Sequence, residues 1–127
     1  MSYDCYCDYD PATIYSKRIV KARKVYRCEE CPNRIQIGER YEYVFGVWEG
    51  YASQFKTCSD CTDLRQWVTN NVPCFCWAHG NMREDAREAI EEAAFRAPEE
   101  TKGLRFGFLR LQKRQELARK HVEGLPW

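Results

Sequence analysis

Two stretches decide the fold: Cys28-Glu29-Glu30-Cys31-Pro32-Asn33 and Cys58-Ser59-Asp60-Cys61-Thr62-Asp63. Each carries two cysteines with two residues between them, and 26 residues separate the pairs. Such a gap lets a tight turn aim both sulfurs to one side, and closing so short a loop costs little entropy. Four such sulfurs suit Zn(II), which takes four thiolates tetrahedrally and has no redox chemistry of its own. Simple buried packing gives no reason for close pairs, and the compressed spacing of a ferredoxin-type iron–sulfur cluster is missing. Cys28, Cys31, Cys58 and Cys61 are the expected ligands of one zinc ion.

The residues between the pairs read as a hairpin over 38–57. RYEYVFGVW is rich in aromatic and β-branched residues, Glu49-Gly50 is a turn, and YASQFKT runs back. After the second pair, Leu64, Trp67 and Val68 recur at helical spacing. The second pair thus opens a helix, whose free N-terminal amides face the anionic sulfurs. The run CEECPNRIQIGERYEY, the hairpin and CSDCTDLRQW together resemble a treble-clef zinc finger. Ile35-Gln36-Ile37-Gly38-Glu39-Arg40-Tyr41 is similar to the strand entry of small bacterial and phage zinc-binding proteins of that kind. The resemblance covers residues 24–72 and implies the α+β treble-clef core and the same four ligands. Pro32-Asn33 departs from it where a glycine is common; Asn33 can still take a left-handed conformation.

Four more cysteines flank this core as DCYCD (Cys5, Cys7) and PCFCWAHG (Cys74, Cys76). No apolar run reaches the ~20 residues of a membrane span, and the acidic N-terminus does not read as a signal peptide. An intracellular, cytoplasmic chain is expected, where lasting disulfides are rare. On an extended chain residues i and i+2 point the same way, so each C-x-C can offer two sulfurs to one metal. If the N-terminal arm lies beside the segment that Pro73 begins, Cys5, Cys7, Cys74 and Cys76 form a second zinc site, and the chain holds two zinc ions. His79 is the possible substitute ligand. Redox-active dithiols or buried thiols are the other readings.

Residues 1–80 read as the zinc-binding domain and 81–127 as a helical extension, a helical hairpin. Asn81 is the expected N-cap, with Glu84 placed to complete a capping box. Met82, Ala86, Ile90, Ala93 and Ala97 form one face before Pro98. A last helix is expected from about Phe108 to about Val122, lined by Phe108, Leu111, Ala118 and Val122 and interrupted by Gln115, stopping at Gly124 before Pro126. Residues 83–100 hold seven acids against three arginines, and 102–121 hold seven Lys/Arg against Glu116. Opposite charges facing each other across the hairpin are the simplest reading; a basic helix for phosphates is the other.

Nuclease chemistry on a treble clef needs histidines on the hairpin and the first helix, and these segments have none. His79 and His121 are the two histidines; a turn residue and a solvated helix residue are expected. No nucleophile set or phosphate loop is present, and four thiolates close a zinc ion to water. The chain reads as non-enzymatic. Small size and metal stapling suit a regulator or inhibitor of phage or bacterial type that docks on a larger protein or complex. Trp48, Tyr51, Tyr43 and Phe45 are the candidate partner-binding anchors. The alternative is nucleic-acid binding through residues 17–27 and 105–120, with Lys21, Arg23, Lys24, Arg110, Lys113 and Arg114 as contacts.

Overall fold

The computed structural model describes residues 3–7, 9 and 11–120, and the backbone of 121–123. The expectations for the His121 and Val122 side chains, and for a stop at Gly124 and Pro126, lie outside the described residues. The chain is a small α+β protein. Its elements are β1 (Ile14–Lys21), β2 (Tyr26–Arg27), β3 (Arg34–Ile35), β4 (Arg40–Trp48), β5 (Tyr51–Cys58), α1 (Ser59–Asn71), α2 (Met82–Arg96) and α3 (Leu104–Glu123). β1, β4 and β5 make an antiparallel sheet with β4 in the centre, and β2–β3 make a separate two-stranded ribbon. No helix among the described residues is long and apolar enough to cross a membrane.

The alternation of β4 sorts the sheet into two faces. Glu42, Val44, Gly46 and Trp48 face the helices, Tyr43, Phe45 and Val47 face outward, and Tyr41, on the same parity as these, is buried beside Tyr26 of the ribbon. Glu49 and Gly50 both take positive φ, at 51° and 84°, as a two-residue hairpin loop requires. Gly46 is demanded by its neighbour, since a Cβ there would lie 2.3 Å from the Trp48 ring. Beneath the sheet Glu42 is 2% exposed and forms a two-pronged ion pair with Arg65 of α1. Arg65 in turn lies 4.6 Å from the centre of the Trp77 ring. β1 buries little of its own side chains; its pairing with β4 from Ile14↔Val47 to Lys21↔Arg40 holds it.

One cluster of buried residues runs from Ile35 and Tyr41 through Leu64 and Val68 to Met82, Ile90, Phe108 and Leu111. α3 begins four residues before the expected start, at Leu104, just after Gly103 with φ 83°. Its inner face also differs from expectation. Ala118 is exposed and Arg119 is buried, because the last turns of α3 lie over polar backbone of both cysteine segments, at Arg34 and Asp60. Gln115 Nε2 donates to the Asp60 carbonyl at 2.8 Å. Arg119 donates to the Arg34 carbonyl at 2.8 Å and to Glu39 at 3.0 Å. Between α2 and α3, Arg105–Glu91 is the ion pair among the described residues. The other acids of α2 that form ion pairs there are satisfied within the helix, by Arg87 and Arg96.

Removing one partner of the buried Glu42–Arg65 pair strands the other charge, which costs roughly 3–5 kcal/mol. Glu42→Ala is therefore expected to lower the unfolding free energy measured in urea by that much, whereas Glu92→Ala, in an exposed pair, is expected to cost under about 1 kcal/mol.

Candidate metal centre

Ribbon β2–β3 forms the first cysteine turn, closed by the Cys28 amide donating to the Asn33 carbonyl at 3.3 Å. Asn33 does not use the left-handed conformation open to it; Glu49 is the one non-glycine residue with positive φ among the described residues. The second pair straddles the end of β5 and the first turn of α1, with Cys58 as N-cap. The four sulfurs meet. Cys28 and Cys61 are 3.8 Å apart, and Cys31 and Cys58 are 3.7 Å apart. A tetrahedron with Zn–S bonds of about 2.3 Å has edges of about 3.8 Å. Cys28, Cys31, Cys58 and Cys61 form a group that can hold a metal ion. Cys28, Cys58 and Cys61 are buried.

The surroundings compensate a negative cluster. Cys28 Sγ accepts the amides of Glu30 at 3.3 Å and Cys58 at 3.4 Å. Arg83 donates through Nε and an Nη to Cys61 Sγ, both at 3.3 Å. Burial opposes the charge on Arg83, but the sulfurs beside it, Cys61 foremost, hold its pKa above the usual value. Among the thiols, hydrogen bonds from Cys31, Cys58 and Cys61 pull Cys28 down, and those with Cys28 push Cys58 and Cys61 up. Four sulfurs this close do not ionise independently without a cation.

Glu30, between the first two cysteines, caps α2. Its carboxylate accepts the Gly80 amide at 2.7 Å and the Met82 amide at 3.0 Å. This replaces the expected capping box: Asn81 makes no side-chain cap, and Glu84 pairs with Arg87. Asn81 Nδ2 instead donates to Asp85 at 2.9 Å. No protein-family model, curated protein or solved structure matches the chain. Glu30 and Arg83 were not singled out from the sequence. A charged residue inside a C-x-x-C turn is the one signal for the first; the second has none, since α2 meets the cluster only through the fold.

The second set of cysteines also comes together, with different partners from those expected. Cys5 is joined to Cys74, and Cys7 to Cys76, as disulfides. Here the four cysteines expected to be thiolate ligands of a second zinc ion are bridged in pairs. The bridges run between the two C-x-C pairs, because the arm lies beside the 74–76 segment in register. The unbonded distances Cys5–Cys76 and Cys74–Cys76 are both 3.8 Å, and Cys5, Cys74 and Cys76 can also hold a metal ion. His79, the expected substitute ligand, is not in that group. Its ring stacks on Phe55 at 4.5 Å and meets the edge of Trp77 at 4.8 Å, and its Nε2 lies 3.2 Å from the Tyr15 hydroxyl. Burial lowers its pKa to about 4.

Of the expected partner anchors, Trp48 packs against Tyr15 and Phe55, and Tyr51 is 77% exposed. Tyr43 and Phe45 are half-buried on the outward face. Of the expected nucleic-acid contacts, Lys113 pairs with Glu116, Arg110 lies over the Phe106 ring, and Arg114 is exposed. Lys21, Arg23 and Lys24 are exposed and have no acidic partner among the described residues.

Outer partners of metal ligands commonly carry 10–100-fold in affinity, so Arg83→Ala is expected to weaken metal retention by roughly that factor in chelator competition. His79 gives a pH test. Its pKa is about 4 in the fold against an unfolded value near ~6.5, so between these the unfolded chain binds more protons. Stability is fully present above about pH 6.5 and falls as pH drops toward 4. His79→Phe is expected to flatten that slope in urea unfolding followed at stepped pH.

Proposed function

We propose that this chain is a zinc-stapled, non-catalytic interaction module with a treble-clef core. The observation that carries the reading is the clustering of the four sulfurs, with Cys28–Cys61 and Cys31–Cys58 separations that match the edges of a zinc tetrathiolate. Four thiolates leave the ion no open position, so its work is structural: zinc bound here is folding energy, on the order of 10 kcal/mol. A second zinc on Cys5, Cys7, Cys74 and Cys76 is the counterpart in a reducing compartment, where the two bridges would be opened. In either state that cluster ties the N-terminal arm to the segment before α2.

The module then acts by docking on a larger assembly, as a regulator or inhibitor does. Both partner classes expected from the sequence have candidate surfaces. The protein-partner reading retains Tyr51 at the hairpin tip, but Trp48 is committed to the inner aromatic cluster. The nucleic-acid reading loses Lys113 to an ion pair with Glu116 and Arg110 to the Phe106 ring, and keeps Lys21 of β1 with Arg23 and Lys24 before the ribbon. An exposed cation–ring contact is worth about 0.5–1 kcal/mol, less than the ~1–3 kcal/mol of stacking a base on a ring. The cations over the outward tyrosines therefore do not prevent such stacking. This balance favours the outward sheet face as the docking surface.

Metal analysis by native mass spectrometry tests the reading. Reduced protein is expected to carry two zinc ions, and air-oxidised protein one zinc and two disulfides. Cys28→Ser is expected to unfold the hairpin and α1, while Cys5→Ser frees the arm and leaves the core folded. A chain that folds cooperatively without metal would overturn the proposal.

A further inference from the structure

The outward face of the sheet has an order that pair-by-pair contacts do not display. The strand register places side chains in rows across β1, β4 and β5. One row is Arg18–Tyr43–Lys56, and the row beside it is Ser16–Phe45–Gln54. The next row toward the hairpin tip is Ile14–Val47–Ala52, and toward the cysteine turn the face closes at Val20–Tyr41–Cys58, where Tyr41 and Cys58 are buried in the core. None of these rows contains an acid. Arg18 lies 5.4 Å from the Tyr43 ring centre and Lys56 lies 5.7 Å from it. Lys56 and Lys24 also flank Tyr26, at 5.0 and 5.6 Å.

This face continues into a cavity of about 1010 Å³ lined by Arg18, Lys21, Arg23, Tyr26 and Tyr41 among others. Its lining likewise includes no acid. Glu29 flanks the face on the cysteine turn, with its amide bonded to the Lys56 carbonyl. The chain's net charge is only +1, so the positive field is local to this face and its groove.

We infer that this face binds single-stranded nucleic acid, with bases on Tyr43 and Phe45 and phosphates on Arg18, Lys56 and Arg23. The inference rests on the interaction-module reading and names its partner. Charge complementarity selects a polyanion, and the rings select one with flat apolar faces. Ring spacing selects the strandedness. Tyr43 and Phe45 are two residues apart on one strand, hence roughly 7 Å apart. Bases stacked in a duplex rise about 3.4 Å per step and present only their edges. A single strand can splay successive bases onto both rings and lay its phosphates along the flanking cations. An acidic protein segment matches the cations but gains nothing from the rings.

Fluorescence anisotropy with metal-loaded protein and a labelled single-stranded oligonucleotide of roughly 20 nucleotides, longer than one such site needs, tests this. The single strand is expected to bind more tightly than the duplex of the same sequence. Tyr43→Ala and Phe45→Ala are each expected to weaken binding on the order of 10-fold with the salt slope unchanged, and Tyr43→Phe to retain it. Arg18→Glu with Lys56→Glu is expected to abolish binding and flatten the salt slope. Lys113→Glu with Arg114→Glu, on α3, is expected to bind like the parent.

Several results would overturn the inference. They are no binding at low salt by folded, metal-loaded protein, equal affinity for duplex, loss confined to the α3 variant, or displacement by poly-glutamate at equal charge. Metal content measured on the same samples separates the two readings. A loaded protein that does not bind sinks this inference alone, and a metal-free protein that binds with these variant effects sinks the zinc reading alone.

Discussion

Four sulfurs held at the corners of a tetrahedron are the constraint from which the rest of the structure follows. They come from two places that the chain must bring together: a turn made by ribbon β2–β3, and the junction where β5 becomes α1. Once joined, the intervening residues have little choice but to fold back as the hairpin β4–β5. The negative charge of the cluster then asks for donors. It receives backbone amides from Glu30 and Cys58 and a guanidinium from Arg83. A domain this small has a modest apolar core, and a metal ion bound at this cluster would supply folding energy that the core lacks.

The cluster also organises the helices beyond it. Glu30 sits inside the first cysteine turn and accepts the amides that begin α2. Arg83, the second residue of that helix, returns to Cys61. α2 is thereby pinned at its N-terminus from two sides, and α3 is set over the cysteine turn by Gln115 and Arg119. The extension is thus tied to the metal site by polar contacts as well as by the shared apolar cluster. The disulfide-joined arm performs a related task at α2. It carries Tyr9, whose hydroxyl donates to Asp85 at 2.8 Å, and it borders the cavity lined by Trp48, Phe55, Trp77 and His79.

Charge is sorted by the same architecture. Several cations on the helices, Arg87, Arg96, Arg105, Lys113 and Lys120, have acids within reach one turn away or on the neighbouring helix. Those of β1 do not, because β1 is an edge strand and its neighbour β4 presents aromatic and apolar residues outward. A chain with almost no net charge therefore carries one basic, aromatic face. Such an arrangement depends on the register of β1 against β4: a shift by one residue would move Arg18 to the inner face and dissolve the row with Tyr43 and Lys56.

The sequence by itself determined the hairpin, the first helix and the grouping of the cysteines into four-sulfur sets. These features are local, or are stated by residue type and spacing: alternation over 40–48, helical recurrence of Leu64 and Val68, and C-x-x-C repeated across a hairpin's length. It also pointed to the N-terminal arm lying beside 74–76, since two C-x-C pairs have few other uses for each other. Tertiary structure alone decided the rest. Whether Asn81 or Glu30 caps α2 depends on a carboxylate 50 residues away arriving first. Whether Ala118 or Arg119 faces inward depends on α3 lying over polar backbone rather than over side chains. Whether His79 serves a metal or an aromatic cluster depends on which side of the chain the sheet occupies. Each of these choices is between groups of similar local preference, so a distant contact of about a kcal/mol is enough to settle it.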